Sequence, residues 1–366
     1  MEYMLLKEVC SIAKGKQING EELLQQGVPF YNGGINPSGF WKESNVSANS
    51  ISISEGGNSC GYVNFQNEPF WCGAHCYYLY NLKINTKYLF YNLKGLQNEL
   101  MALRTGVCMP NIKKTDLENF KITVVNSNVQ QEIVSILDKI NAIIDADKKQ
   151  LELLDETVKS RFIEMFGDPI LNDKDWQIKD LNEITDVRDG THDSPKYYDD
   201  GYPFVTSKNL VNGKIDFSSC QLICEEDYLH FNERSCVDDG DILMPMIGTI
   251  GGAIIVKKDR DFAIKNVALI KFNKDNSIIN RTFILNILNS DSMNEYFNNV
   301  KKGGTQNFIS LGLIRKIPTV VPPIELQNEF DSFVEQIDQT KSSIQQHLTL
   351  MQELLDKKME EFFGGK

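Results

Sequence analysis

The chain has 366 residues, of which 41% are hydrophobic and 24% are charged, and its formal net charge is −12 at pH 7. This length predicts two or three domains, and the composition is that of an ordinary globular protein. The charge argues against a strongly basic nucleic-acid-binding surface over the whole chain, so any binding to DNA would depend on local basic clusters or on a basic partner subunit.

The N-terminal segment, MEYMLLKEVC, indicates a cytoplasmic protein. It lacks the basic start and the long apolar run of a signal peptide. Elsewhere no stretch of about 18 apolar residues could span a bilayer, so we expect no membrane association. Eight cysteines at scattered positions are then most simply reduced thiols.

Residues 1–125, with a net charge of +1, have the pattern of a β-rich domain with large loops. A strand is predicted at 27–31, followed by a glycine-rich turn. From Asn85, a candidate helix N-cap, apolar residues recur at helical spacing until Gly106. A last strand is predicted at 120–125.

The segment 129–167 recurs at 326–364 without a gap, with 10 identities in 39 aligned residues. In both copies apolar residues alternate at steps of four and three, the heptad spacing of one apolar seam along a helix. At about 1.5 Å per residue each helix would be roughly 55 Å long, which is too long for the core of a small domain. The partner of such a helix could be another protein, but its own repeat is the simpler partner.

Residues 168–323, with a net charge of −5, loosely repeat the plan of the first domain. LNEI at 181–184 corresponds to LKEV at 6–9, and GYPF at 201–204 corresponds to GVPF at 27–30. The chain is therefore predicted to be a tandem duplication of a β-rich unit followed by a long helix.

No motif for catalysis stands out. A phosphate-binding G-x-x-x-x-G-K-[ST] loop is absent, and NEPF at 67–70 is only a distant match to the Asn- or Asp-Pro-Pro-aromatic run of a DNA methyltransferase. The four histidines are too scattered for a catalytic triad. Cys72, His75 and Cys76 lack the second half of a zinc site, so we expect core thiols. We predict no catalytic residue, metal or cofactor in this chain.

Two loops carry side chains suited to nucleic-acid recognition. The segment 188–198, RDGTHDSPKYY, combines a guanidinium, hydrogen-bonding side chains and aromatic rings in a loop shaped by glycine and proline. The segment 301–307, KKGGTQN, has a weaker equivalent in Lys113 and Lys114. Such side chains can read donor and acceptor patterns in the major groove while lysines bind phosphates. The alternative for either loop is a surface loop with incidental charge.

Five segments carry a resemblance to a known family: PFYNGGINPSG (29–39), FIEMFGD (162–168), RDGTHDSPKYYDDGYPFVTSKNL (188–210), PPIELQNEF (322–330) and MEEFFGG (359–365). Over its full length the chain resembles the specificity subunit of a type I DNA restriction-modification enzyme. The resemblance implies an α+β fold with two β-rich target-recognition domains, 1–125 and 168–323. Two long spacer helices, 126–167 and 324–366, would separate them and form an antiparallel coiled coil with pseudo-two-fold symmetry.

The resemblance also implies a non-catalytic function. Each recognition domain would read one half of a bipartite, asymmetric site in double-stranded DNA. The helices would bind two DNA methyltransferase subunits, and two ATP-dependent nuclease and translocase subunits would complete a bacterial defence complex that methylates adenine at N6 and cleaves DNA. The alternatives are a recognition subunit of a methyltransferase-only or type II-like system, and a coiled-coil scaffold that binds only proteins.

The candidate DNA-contacting residues come from the loops and from the segments that carry the resemblance. They are Lys14, Lys16, Asn32, Asn36, Lys113, Lys114, Arg188, Thr191, His192, Ser194, Lys196, Tyr197, Ser207, Lys208, Asn209, Lys301, Lys302, Gln306 and Asn307.

Two charged residues interrupt the apolar seam. Asp147 corresponds to Ile344 in the second copy, and Lys341 corresponds to Ile144 in the first. If the helices pair antiparallel, Asp147 facing Lys341 would fix their register, because a slipped register would leave either charge against an apolar side chain. The alternative is that both charges extend to solvent.

Overall fold

The computed structural model describes residues 2–106, 110–247, 252–272, 278–300 and 308–364. The chain forms two compact units. The first unit contains residues 1–149 and 345–366, and the second unit contains residues 150–344. The helices are α1 Leu6–Val9, α2 Thr86–Gly95, α3 Gln97–Ala102, α4 Lys114–Glu118, α5 Ser127–Phe166, α6 Leu181–Ile184, α7 Glu225–Ser235, α8 Arg281–Leu288, α9 Asp291–Val300, α10 Leu311–Arg315 and α11 Ile324–Phe363.

The first unit is built on two sheets and a separate strand pair among its described residues. Its strands are β1 Glu2–Leu5, β2 Ser11–Lys14, β3 Val28–Tyr31, β4 Gly39–Trp41, β5 Ser50–Ser54, β6 Val63–Gln66, β7 Trp71–Cys72, β8 Cys76–Tyr80 and β9 Lys121–Val124. One sheet has the strand order β2-β8-β5-β6, and the other has the order β4-β3-β7, in which β3 and β7 run parallel. The pair of β1 and β9 leads directly into α5.

The second unit repeats this topology with different residues. Its strands are β10 Gln177–Asp180, β11 Asp186–Asp189, β12 Tyr202–Thr206, β13 Leu210–Val211, β14 Lys214–Ile215, β15 Gln221–Ile223, β16 Ile242–Pro245, β17 Ile254–Ile255, β18 Ala263–Lys265, β19 Val267–Lys271 and β20 Pro318–Val321. The sheet β11-β19-β16-β17 corresponds to β2-β8-β5-β6, and β15-β12-β18, again with a parallel pair, corresponds to β4-β3-β7. The strand order thus confirms the predicted duplication.

Each unit has its own apolar core beneath the larger sheet. Ile51 and Ile53 of β5 are fully buried in the first unit, where they pack with Leu89 of α2. The side chain of Asn85 accepts a hydrogen bond from the Tyr88 amide at 3.0 Å, so the predicted N-cap of α2 is confirmed. The single helix predicted as far as Gly106 is instead α2 followed by α3.

Parts of both long helices pack antiparallel inside each unit. In the first unit, Ile133 and Leu137 of α5 share a buried cluster with Phe363 near the end of α11. In the second unit, the rings of Phe162 and Phe166 lie 5.5 Å from the ring of Phe330 near the start of α11. The predicted apolar seam is buried at Ile133, Leu137, Ile140, Ile144 and Phe330, and its other residues are partly buried.

A buried glutamine in the first turn of each long helix explains one identity of the repeat. Gln130 is 5% exposed, and its side-chain oxygen accepts a hydrogen bond from the Asn85 amide at 3.0 Å. Gln327 is fully buried and accepts one from the Asn280 amide at 2.8 Å. Asn85 and Asn280 cap α2 and α8, so each glutamine ties a long helix to a short helix of the adjoining β-rich domain.

The two charges in the seam take partners other than the predicted one. Within the first unit, Asp147 Oδ2 lies 2.7 Å from His347 Nδ1. Within the second unit, Lys341 Nζ lies 2.5 Å from Asp155 Oδ1. The residue paired with Asp147 is therefore six positions beyond Lys341, the partner that the seam predicted. Ion pairs between partly exposed side chains contribute little to stability, so these two charges do not fix the register predicted from them.

No helix among the described residues is long and apolar enough to cross a membrane.

Candidate nucleic-acid interface

The second unit has a cavity of about 1250 Å³ beside the ends of two parallel strands. In β12 and β18, Phe204 lies opposite Ala263 and Thr206 lies opposite Lys265, so both strands end at the same edge of their sheet. Predicted contact residues from two separate parts of the 188–210 segment meet at this edge. The residues that line the cavity include Tyr197, Thr206, Ser207, Lys208, Asn209, Gln221, Lys265 and Asn266.

A tight turn at 207–209 shapes one wall of the cavity. The backbone amide and the hydroxyl of Thr206 both donate to Asn209 Oδ1, each at 2.9 Å. The Asn209 Nδ2 donates to Ser219 Oγ at 3.1 Å, and the residue is only 4% exposed. The side chain of Asn209, a candidate DNA contact, is therefore used by the fold, whereas Lys208 stays exposed on the surface.

The loop at 190–201 runs along β18 and forms another wall. The amide of Thr191 donates to the carbonyl of Ile264 at 3.1 Å, and the amide of Asn266 donates back to the carbonyl of Thr191 at 3.3 Å. A Cβ at Gly190 would lie 2.3 Å from the Ile264 carbonyl oxygen, so only glycine allows this approach. The glycine of the RDGTH motif therefore holds the loop against the sheet.

His192 bridges the loop and the residue that follows β18. Its Nε2 lies 3.1 Å from Asp189 Oδ2, and its Nδ1 lies 2.6 Å from Asn266 Oδ1. Asp189 is 4% exposed and also accepts a hydrogen bond from the Arg234 guanidinium of α7. We expected His192 to contact DNA, but both of its ring nitrogens are engaged inside the unit.

Arg188 is also engaged by its neighbours. Its Nε and Nη2 donate to Asp186 Oδ2 at 2.9 and 2.6 Å, and its Nη1 donates to the carbonyl of Arg234 at 3.1 Å. The hydrogen bond to Asp186 raises the pKa of Arg188. In this arrangement the guanidinium braces β11 against α7 and is not directed at the cavity lining.

Lysine and aromatic side chains lie in the described lining of the cavity and in the loop beside it. The charged residues among the described lining are Lys208 and Lys265, although the domain as a whole is acidic. Lys265 Nζ donates to Ser194 Oγ at 2.7 Å, and Lys196 Nζ lies 5.4 Å from the centre of the Tyr198 ring. Tyr197 is 44% exposed. The second unit therefore contains the kind of local basic cluster that DNA binding by an acidic chain requires.

Lys265 and Asn266 are lining residues that sequence reasoning missed. Asn266 lies 59 positions beyond Ser207 in the sequence. Parallel pairing of β12 with β18 brings Lys265 and Asn266 beside Ser207 and Lys208. Ser207 Oγ donates to the carbonyl of Asn266 at 3.2 Å. A signal was present, because a Lys-Asn pair lies just after β12, at 208–209, and at the end of β18, at 265–266.

In the first unit, side chains at the equivalent edge of the sheet contact Glu55. Lys14 Nζ lies 2.5 Å from Glu55 Oε1, and the hydroxyl of Tyr77 donates to the same oxygen at 3.3 Å. Burial, followed by the charge of Glu55, raises the pKa of Tyr77, so the hydroxyl keeps its proton. Asn32 Oδ1 accepts a hydrogen bond from the amide of His75, whose Nδ1 is 3.7 Å from Glu55 Oε2. The structure thus brings the candidates Lys14 and Asn32 together.

The remaining candidates of the first unit are exposed. Lys16 and Asn36 lie in loops, and Lys113 and Lys114 precede and begin α4. Lys114 Nζ is 3.5 Å from Glu118 Oε1. Four candidates of the second unit, Lys301, Lys302, Gln306 and Asn307, lie outside the described residues.

The described residues contain no group of three His, Cys, Asp or Glu side chains that could hold a metal ion. Cys60, Cys72 and Cys76 are buried free thiols. The Cys72 thiol donates to the carbonyl of Cys76 at 3.3 Å, and its contact with the Cys76 thiol and its burial raise its pKa. These cysteines pack the core of the first unit.

A family model described as the type I restriction modification DNA specificity domain matches residues 1–156 and 173–352. The chain belongs to this family. The match covers both β-rich parts and most of both long helices. The strand order repeated in the two units therefore occurs in a chain of the specificity family.

Related specificity subunits share limited sequence identity with this family member. The specificity subunit of the type I restriction enzyme MjaVIII from Methanocaldococcus jannaschii is 25% identical over 268 residues, which are 69% of this chain and 63% of the relative. A putative type I specificity subunit of Mycoplasma pneumoniae is 32% identical over 156 residues, 39% of this chain and 41% of the relative. The chain thus aligns with less than two thirds of the length of either relative.

A solved structure has the same fold. The crystal structure of a type I restriction-modification system S subunit from M. genitalium covers 100% of this specificity-family chain and 96% of its own, with a TM-score of 0.64 and 20% sequence identity. The α+β fold with two β-rich domains and long helices is therefore confirmed.

Proposed function

We propose that this chain is the non-catalytic subunit that gives a type I restriction-modification complex its DNA sequence specificity. In this proposal the β-rich part of each unit binds one half of a bipartite site in double-stranded DNA. The observation that carries it is the cavity at the ends of β12 and β18, where the charged residues among the described lining are Lys208 and Lys265. Lysines bind phosphates, while amide and hydroxyl side chains match the hydrogen-bonding edges of bases.

The duplicated topology supports an asymmetric site. Strands β2 and β11 are equivalent, yet β2 ends in Lys14 and β11 ends in Asp189. Two residues further on, the first unit has Lys16 and the second has Thr191. Because one scaffold carries different side chains at the equivalent edge, the two half-sites should differ in sequence.

We further propose that two DNA methyltransferase subunits bind the long helices and that two ATP-dependent nuclease subunits complete the complex. Leu153 and Leu350 are identical positions of the repeat, and they are 47% and 59% exposed. Glu156 and Glu353, also identical, are exposed three residues further along. Identities at exposed positions have no role in the core, so they support equal contacts with two copies of one partner. Adenine methylation and ATP hydrolysis would then belong to the partners.

The proposal can be tested with the complex of this chain and its methyltransferase subunits. The wild-type complex should methylate adenine in a bipartite motif when it is given a library of DNA sites. Gln221→Ala combined with Tyr197→Ala should weaken discrimination in one half of that motif, and Asn36→Ala should act only on the other half. Gln177→Ala, an exposed glutamine outside the cavity lining, is the matched control. Equal losses in both halves would contradict the assignment of one half to each unit.

A further inference from the structure

A buried carboxylate lies behind the recognition loops of the second unit. The side chain of Asp189 is 5% exposed, and its two oxygens contact Arg234 of α7 and His192 of the loop. A buried charge is tolerated only where hydrogen bonds and opposite charges compensate for its lost hydration. Asp189 therefore fixes the position of the two side chains that approach it.

His192 links Asp189 to Asn266, which lines the cavity. Both of its ring nitrogens lie within hydrogen-bond distance of oxygen atoms, Asp189 Oδ2 at 3.1 Å and Asn266 Oδ1 at 2.6 Å. Asn266 in turn contacts Thr191 through its amide and Ser207 through its carbonyl. One continuous set of hydrogen bonds thus runs from α7 through Asp189 to the cavity lining.

The first unit has a carboxylate with the same relation to its own loops, although it comes from another strand. Glu55 follows β5, its side chain is 13% exposed, and it accepts from Lys14 Nζ and from the Tyr77 hydroxyl. Its backbone carbonyl accepts from the amide of Ile112 at 2.9 Å, and the Tyr77 hydroxyl also contacts the Ile112 carbonyl, at 3.1 Å. Glu55 therefore ties the end of β2 to the loop that leads to Lys113.

The two arrangements are alike in function and different in sequence. At the equivalent strand ends, the first unit has a cation, Lys14, held by a carboxylate, whereas the second has a carboxylate, Asp189, held by Arg234 and His192. Neither carboxylate is exposed enough to contact a ligand itself. Each instead connects strand ends to loops that bear the candidate DNA contacts.

We propose that Asp189 and Glu55 are positioning residues, each of which sets the recognition loops of its own unit. The inference rests on the proposed function, since it assumes that these loops read DNA. It also assigns His192 an indirect role: the imidazole places Asn266 and Thr191 and does not itself read a base. Loss of either carboxylate charge should therefore lower the discrimination between bases in one half-site and leave discrimination in the other half unchanged.

The test uses the full chain in complex with its methyltransferase subunits and two isosteric variants, Asp189→Asn and Glu55→Gln. Methylation rates are measured on DNA sites in which each base of either half is replaced in turn. We expect discrimination to fall about tenfold in one half only, on the scale of one lost bidentate base contact, and in opposite halves for the two variants. Glu226→Gln and Glu43→Gln remove an exposed carboxylate from the second and first units, so they serve as matched controls.

Thermal melting separates positioning from folding. His192→Gln provides a second variant of the same network, because this side chain is 64% exposed and its replacement leaves the core intact. Relaxed discrimination in one half with an unchanged melting temperature supports the inference. If the wild type methylates a bipartite site and these variants keep full discrimination, or lose it equally in both halves, the inference is overturned. A wild-type complex without any bipartite specificity overturns the proposed function itself.

Discussion

Replacing Gln327 with leucine removes three hydrogen bonds from the point where α11 meets the second unit. The Gln327 Nε2 donates to the carbonyls of Pro322 at 2.8 Å and Ile278 at 3.1 Å, and its Oε1 accepts from the Asn280 amide at 2.8 Å. The residue is fully buried. Leucine is similar in size, so the substitution leaves three backbone groups without partners and creates little empty space.

The expected loss follows from the number of hydrogen bonds. At about 1 kcal/mol of net stability per bond, Gln327→Leu should lower the free energy of unfolding by about 3 kcal/mol. Gln130 makes two such bonds, to the Asn85 amide and to the Val125 carbonyl, so Gln130→Leu should cost about 2 kcal/mol. The two glutamines share no partner, and their effects should add.

Equilibrium urea unfolding measures these losses, and tryptophan fluorescence assigns them to a unit. Trp176 belongs to the second unit, whereas Trp41 and Trp71 belong to the first, so a protein with the latter two replaced by phenylalanine reports on the second unit alone. Gln336→Leu, at an exposed position of α11, is the matched control. A loss for Gln327→Leu within about 0.5 kcal/mol of that control, the range of ordinary surface substitutions, would refute the reasoning.

Three further predictions concern charge and length. Lys271 contacts the buried Asp241 at 2.7 Å, so Lys271→Met should destabilise the second unit by about 3–5 kcal/mol, and adding Asp241→Leu should restore most of that loss in the same urea assay. Inserting one heptad into each of α5 and α11 lengthens each helix by about 10 Å, so methylation mapping should show a gap about three base pairs longer between unchanged half-sites. The isolated chain, being acidic, should bind DNA weakly and with a smaller salt dependence than the methyltransferase complex; nanomolar specific binding by the chain alone would contradict this.

Local patterns predicted much of the fold. The regular spacing of apolar residues in the repeat predicted where the long helices begin and end, because any helix that buries one face needs apolar residues three and four positions apart. Asn85 marked the start of α2, since a side chain that accepts the Tyr88 amide is a local property of the chain. Likewise the duplication visible between short motifs such as LKEV and LNEI reappears as the same strand order in both units.

Features that depend on distant pairing were not visible in the sequence. Lys265 lines the cavity only because β12 and β18 pair in parallel, and the side chain of Asn209, which also lines it, is hydrogen-bonded within the turn at 207–209. The partner of Asp147 was predicted by matching opposite charges in an antiparallel pairing of the two copies, whereas the structure pairs Asp147 with His347. The neighbours of His192, Asp189 and Asn266, were likewise not predicted, because polarity does not reveal which residues a side chain contacts in the fold.

The two units are completed at different times during synthesis of the chain. The second unit is one uninterrupted stretch, 150–344, whereas the first unit needs residues 345–366 in addition to 1–149. During synthesis the second unit therefore has all its residues before the first does, although domains more often fold from the N-terminus onward. Phe363, packed on Tyr88 with ring centroids 5.6 Å apart, is made after every residue of the second unit. A chain that stops at 344 would keep every residue of the second unit but lose Phe363, which packs in the same buried cluster as Ile133 and Leu137 of the first unit.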